Sequence, residues 1–269
     1  MTNPLSIHAN NFDRVTDIYD ATRGFTAETE AAVGDGLARI LRTATPSPSV
    51  IEVGAGSGRI AVPLAARGIR VTGLDISHQM LQRLRSKRRD VDLVLAEASQ
   101  PPFRANVFDA AIFVHILHLV PDARASLRAS INCLKPGAVL LNCHHTYSPN
   151  AADRAGVRLS EIIREVTGIE RRPHGRSEGT DAVFREVLTA AGATLESLEI
   201  ATWTETTTAR SEIDMLKNRT HSATWSISDE GMPEVLSRFT ADAEAIYGGM
   251  DVPSDAPVSF SVMVARLPG

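Results

Sequence analysis

The stretch Ser49–Gly58, S-V-I-E-V-G-A-G-S-G, decides the fold. It reads as a short apolar strand with an acid, Glu52, inside it, followed by a glycine turn. Arg59–Arg67 beyond it is helix-compatible. A strand that feeds a glycine turn and then a helix presents backbone N–H groups and a helix N-terminus to a ligand. Gly54, Gly56 and Gly58 stand at i, i+2 and i+4. A dinucleotide fingerprint needs its third glycine one position later, where this chain has Arg59. A Walker loop needs a G-K-[ST] ending, which is absent.

The pattern that remains, E-x-G-x-G-x-G, resembles motif I of the class I S-adenosylmethionine (SAM) dependent methyltransferases. The fold this implies is α/β: a Rossmann-like seven-stranded sheet with its last strand antiparallel. The resemblance also implies that Glu52, Gly54, Ala55, Gly56 and Gly58 line the cofactor.

The strand Ile69–Leu74 follows, and Asp75 ends it. An acid about 20 residues after a glycine turn, at the tip of the next strand, is placed to accept from ribose hydroxyls. That role fits both NAD and SAM. The competing role is a cap for the helix Ser77–Arg85. Ile76 and Met80 are expected to border adenine or ribose. Arg83, Arg85, Lys87, Arg88 and Arg89 read as the solvated end of that helix, where cations suit its dipole.

After the strand Asp92–Ala96, the pair Glu97-Ala98 stands where the family usually has Asp-Ala, whose acid accepts from the adenine amine; the resemblance puts Glu97 in that role. Gln100-Pro101-Pro102-Phe103 looks like the N-P-P-[FY] motif of enzymes that methylate nucleic-acid bases. It precedes the fourth strand rather than following it, and it more closely resembles the family's L-P-F turn. Phe108–Val114 is a nearly continuous apolar run, as expected of a strand buried on both faces. His115 and His118 follow its carboxyl end, where ligands of open α/β sheets sit. The resemblance places Val114 and His115 at the cofactor, and His118 or His115 is the candidate proton acceptor. No nearby cysteine or carboxylate cluster completes a zinc site. Leu134-Lys135-Pro136-Gly137 is a further family signature, a reversal before the strand Val139–Cys143. His144 and His145 extend past that strand, as substrate contacts or as a solvent-exposed strand end.

Upstream, Phe12, Val15, Ile18 and Tyr19 recur at helical spacing within Asn11–Gly24. In many small-molecule methyltransferases a similar Y-D-x-x-R segment lies over the cofactor mouth. By that resemblance Tyr19 lines the active site, as a cofactor contact or catalytic group, and Arg23 approaches the methionine carboxylate.

The bulk properties fit a soluble enzyme. The 269 residues suffice for one large α/β domain with insertions, or one domain plus a small cap. The single-domain reading places cap insertions at about 147–176 and 207–250, covering the carboxyl ends of the strands, with Arg172, Trp203 and Trp225 as candidate lining residues. A net charge of -4 gives no footprint for nucleic acid. Cys133 and Cys143 do not make a disulfide framework. Residues 1–11 are polar, and no apolar run approaches the roughly 20 residues of a membrane span. A cytoplasmic protein is expected.

The expected reaction is methyl transfer from SAM to an O, N or C nucleophile of a small molecule, leaving S-adenosylhomocysteine. The acceptor and the oligomeric state are not encoded in any motif. Two rivals remain: an NAD-dependent oxidoreductase on a similar sheet, disfavoured by Arg59, and a non-catalytic SAM-binding protein.

Overall fold

A computed structural model describes residues 25–169, 178–220, 224 and 226–269. Tyr19, Arg23, Arg172 and Trp225 lie outside the described residues, as does the segment expected to form the first helix.

Among the described residues seven strands form one sheet: β1 (Ser49–Val53), β2 (Arg70–Asp75), β3 (Asp92–Leu95), β4 (Phe108–Val114), β5 (Leu134–Tyr147), β6 (Thr194–Thr207) and β7 (Ser254–Arg266). Their order is β3-β2-β1-β4-β5-β7-β6. The first five run parallel, with Val50 facing Val71 on one side and Ala110 on the other. β7 runs against β5: Gly137 N donates to Pro268 O near the start of β5, and Ser148 N donates to Pro257 O just past its end. The order reverses between β1 and β4, which places a crevice outside the carboxyl ends of these two strands.

The helices are α1 (Ala27–Leu41), α2 (Ala61–Ala66), α3 (His78–Lys87), α4 (Ala123–Cys133), α5 (Ala151–Thr167), α6 (Glu178–Ala190), α7 (Ala209–Lys217) and α8 (Met232–Tyr247). Side-chain caps start two of these helices: Thr26 Oγ1 accepts from Thr29 N at the head of α1, and Ser77 Oγ accepts from Met80 N at the head of α3. Capping, not Asp75, therefore starts α3.

Two compact units share the chain, with boundaries falling in β5, β6 and β7. The first comprises residues 1–145, 177–202 and 259–269. Its core is apolar on both sheet faces, since β1 is buried throughout and β4 nearly so. Phe113, Leu140, Phe184 and Leu188 belong to one buried cluster, which seats α6 on the sheet. The second unit, residues 146–176 and 203–258, has its own core, built by Ile162, Ile213, Val235 and Phe239 from α5, α7 and α8. No helix among the described residues is long and apolar enough to cross a membrane.

The L-K-P-G segment differs in form from a plain reversal. Phe108 pairs with Leu134 and Ala110 with Val139, so the segment is a bulge within β5. Leu267 N donates to Ala138 O, and with the Gly137 bond it ties that bulge to the end of β7. Extra residues opposite a short step are what a bulge accommodates.

Phe184 is completely buried in this arrangement. Phe184→Ala is expected to cost about 3–5 kcal/mol in denaturant unfolding. A loss below about 1 kcal/mol, the size of an ordinary surface change, would show that α6 is not seated there.

Candidate active site

The glycine loop after β1 is shaped by the end of β2. Gly54 N and Ala55 N both donate to Leu74 O, at 2.7 and 3.1 Å. Gly56 N donates to Asp75 Oδ2 at 2.8 Å, and Ser77 N donates to Asp75 Oδ1 at 2.8 Å. Gly56 has φ +54 and Gly58 φ +92, conformations that L side chains rarely adopt. A Cβ at Gly58 would stand 2.3 Å from Leu84 Cδ1, so the loop packs directly on α3. At Gly56 nothing lies within 4 Å of a Cβ position, leaving open space against the backbone. Lys87, from the charge run read as solvated, donates from Nζ to Ser57 O at 2.9 Å.

Glu52 lies beneath this loop. It is 2% exposed, and its Oε2 has no hydrogen-bond partner. Burial drives its pKa up to about 8; Arg59 pulls the other way, Asp75 adds to the rise, and the Ala61 N–H at the head of α2 opposes it. The group is therefore a protonated acid at neutral pH. An orphaned polar atom behind a glycine loop with open space at Gly56 fits a polar ligand lying on that loop.

The adjoining residues take graded positions. Ala96 N donates to Asp75 O at 3.0 Å, which sets the start of the Glu97-Ala98 pair beside the tip of β2. Glu97 is half-buried, and its Oε1 accepts from Ser99 Oγ at 2.8 Å. Ile76 is half-buried, whereas Met80 is 2% exposed and belongs to the core. Ala55 is buried, and its carbonyl accepts from Gly58 N. Phe103 of the Pro-Phe turn packs edge-on against Phe108, with centroids 4.9 Å apart.

Beyond β4 and β5 a second group assembles. Val114 is half-buried at the end of β4 and pairs with Cys143. His115 takes φ +51, uncommon for a residue other than glycine, and its N donates to Cys143 O at 3.1 Å. Its ring meets that of His145 edge-on at 4.6 Å. Phe25 and Phe260 pack on the same His145 ring, at 5.8 and 5.5 Å. Arg59 reaches across from the glycine loop: its guanidinium sits 4.5 Å over the Phe25 ring, and Nη2 lies 3.2 Å from His145 Nε2. Arginine only donates, so His145 Nε2 is the acceptor and the neutral ring carries its hydrogen on Nδ1. Burial, then Arg59 and His144, lower the His145 pKa to about 3. Burial, then His145, Arg59, His118 and His144, hold His115 well below the ordinary histidine value. His118 is exposed, three residues beyond His115.

The structure thus gathers Glu52, the glycines, Asp75 and His115 at the carboxyl ends of β1, β2 and β4. It adds Phe25 and Arg59, which sequence reasoning did not place, and buries the ring of His145, expected there as a substrate contact or a solvent-exposed strand end. Arg59 was legible only for the glycine it displaces. No group of three or more metal-ligating side chains occurs among the described residues.

Comparison with known proteins finds a family match over part of the chain. Residues 51–142 match the methyltransferase domain family. The demethylmenaquinone methyltransferase of Renibacterium salmoninarum is 32% identical over 146 residues, 51% of this chain and 60% of the relative. That of Clavibacter sepedonicus is 32% identical over 157 residues, 55% of this chain and 62% of the relative. The chain thus spans about 60% of the length of these curated relatives. Two solved structures share the fold. A protein provisionally named a type II methyltransferase from Anaeromyxobacter dehalogenans superposes with a TM-score of 0.57 at 18% identity, covering 87% of this chain and 96% of its own. Another, provisionally named a methyltransferase from Bacillus halodurans, gives 0.54 at 20% identity, covering 87% and 99%. The segment 51–142, which carries the glycine loop tied to the acid on β2, is thus similar to the methyltransferase domain family, and the sheet around it has the fold of these two solved structures.

Proposed function

We propose that the protein transfers a methyl group from SAM to an O, N or C nucleophile of a small molecule. The observation that carries the reading is the glycine loop locked to Asp75 over the buried Glu52, at the point where the strand order reverses. Asp75 would serve the ribose hydroxyls, with each oxygen retaining acceptor capacity beside its backbone N–H bond. Glu97 would accept from the adenine amine. The loop residues Gly54, Ala55, Gly56 and Gly58 would take the cofactor against their backbone, with Ile76 and Val114 as flanking surface and Met80 supporting it from the core. Tyr19 and Arg23 keep their expected roles at the mouth and at the methionine carboxylate.

Bound SAM supplies a methyl group already activated by a neutral thioether leaving group. The chain's task is alignment, which in favourable model reactions contributes on the order of 7–11 kcal/mol. His115 and His145 suit that task as uncharged walls. Burial and the Arg59 guanidinium keep both imidazoles neutral, so they add no positive charge opposite a sulfonium. Ring faces also attract cations. His118, exposed beyond β4, is placed to meet an acceptor arriving from solvent. The relatives' name supports a small-molecule acceptor and makes reduced demethylmenaquinone the first to test.

Titration calorimetry is expected to show micromolar binding of SAM and S-adenosylhomocysteine, and no binding of NADH. Asp75→Ala should weaken both by about tenfold or more, the equivalent of one lost charged hydrogen bond. Binding of NADH alone would overturn the reading. Glu52 supplies a test by pH. Its pKa is raised on folding, from about 4.5 to about 8, so the native state holds its proton longer than the unfolded chain. Stability is therefore fully present below about pH 4.5 and falls by about 1.4 kcal/mol per pH unit between those values. Glu52→Gln removes that slope, so its melting temperature relative to the parent should climb from pH 5 to pH 8. Parallel curves would show that Glu52 is ionised in the folded protein.

A further inference from the structure

Arg59 crosses the carboxyl ends of three strands. It leaves the glycine loop after β1, and its Nη2 lies 3.2 Å from His145 Nε2 near the end of β5. In the sheet order β4 stands between those two strands. The guanidinium therefore passes over the carboxyl end of β4, where ligands of open α/β sheets sit. Two contacts aim it. Its carbon sits 4.5 Å over the Phe25 ring, and the His145 ring that accepts from it is itself held edge-on by His115, at 4.6 Å. Arg59 is half-buried, as is Gly56, where nothing lies within 4 Å of a Cβ position. The side chain thus starts beside the open part of the glycine loop and ends on the side of the crevice away from it.

The charge of Arg59 acts on three groups around it. It favours ionisation of Glu52 and opposes protonation of His115 and His145. All three are uncharged at neutral pH. Burial pushes Glu52 up to about 8, and the two imidazoles are held down, His145 to about 3. An anion arriving beside Arg59 meets no like charge from them, whereas an ammonium meets a fixed cation. A guanidinium keeps its charge at every working pH. An opposite charge within about 4–6 Å lowers the pKa of an acid by about 1–3 units. A phenol ordinarily ionises near pH 10, so beside such a cation it ionises at about pH 7–9.

We propose that Arg59 selects the methyl acceptor by holding the oxyanion of a phenol-type hydroxyl over the carboxyl end of β4. The inference rests on the methyltransferase reading and narrows its acceptor to an acidic hydroxyl compound. The hydroxyl proton is lost to bulk water before the acceptor binds, so no group of the protein has to take it. The oxyanion then forms the new bond to the methyl carbon with one of its lone pairs as the carbon–sulfur bond breaks, and the pair of that bond leaves on sulfur. Oxyanion and sulfonium become a neutral ether and a neutral thioether. The charge of the oxyanion fades during transfer, so Arg59 acts on binding and ionisation of the acceptor rather than on the transfer itself. It is a specificity residue in this scheme.

The test uses the full chain saturated with S-adenosylhomocysteine, with 4-nitrophenol as the probe, a phenol whose anion is coloured. Calorimetry and absorbance are followed across pH. In the parent protein, affinity should rise as the probe ionises, and the bound probe should ionise at least about one pH unit below the free one. Arg59→Gln should remove that shift and weaken binding of the anion by about tenfold or more, the same unit read as affinity. Arg59→Lys, which keeps the charge without the fork, should retain most of both effects. S-adenosylhomocysteine affinity should hold within about threefold in the two variants; a larger loss would place Arg59 at the cofactor and overturn the proposal. A parent protein that binds the neutral phenol as well as its anion, or binds neither, overturns it without any variant. So does a bound probe that ionises at the same pH in Arg59→Gln as in the parent. A parent that fails to bind S-adenosylhomocysteine sinks the methyltransferase reading instead, and the probe titration, run without cofactor, still decides whether Arg59 holds an anion.

Discussion

The hydrogen bond from Gly56 N to Asp75 Oδ2 is the constraint on which the site depends. It joins the loop after β1 to the tip of β2, and the second carboxylate oxygen joins the same tip to the start of α3 through Ser77 N. Bonds to a carboxylate are stronger than bonds between neutral groups, so one side chain fixes two loops. Leu74 O reinforces the tie by accepting from Gly54 N and Ala55 N. Once the loop is fixed, α2 begins where the Ala61 N–H meets Glu52, and Arg59 projects from a defined point. The long reach of Arg59 to β5 follows from that placement rather than from any local signal.

Charge in this site is managed through Arg59. Burial above all keeps Glu52 protonated, and Asp75 adds to that rise. The same guanidinium favours the charged form of Glu52 and the neutral form of His145. An arginine between a buried acid and a buried imidazole thus pushes both in the direction that limits net positive charge. Glycine in its place, as a dinucleotide site would have, would leave His145 without its donor.

Much of the fold was legible because its signals are short in range. Phe108–Val114 was readable to the residue, since burial on both faces requires an unbroken apolar run. The order of motifs around the glycine loop resembled the family whose model matches residues 51–142. β5 was read short: expected over Val139–Cys143, it spans Leu134–Tyr147, and its last residues belong to the second unit. The site's long side chains were less readable. Lys87 sits in a run of cations that a helix end explains, yet it bonds the carbonyl of Ser57 across the loop. Asp181 is an ordinary acid near a helix start in sequence, and only the pairing of β5 with α6 brings it to His144. Periodicity reports which face a residue takes, not how far its side chain reaches.

That limit explains why four histidines of one type cannot be ranked from the sequence. His115 and His118 follow β4, and His144 and His145 lie near the end of β5, so position alone does not rank them. What separates three of them is what faces the ring: a guanidinium for His145, a carboxylate for His144, burial for His115. An imidazole whose lone pair is already engaged, or which burial keeps from accepting charge, serves as wall and spacer. The parallel sheet brings the four together, and the partners supplied by α6 and by the glycine loop give them different chemistry.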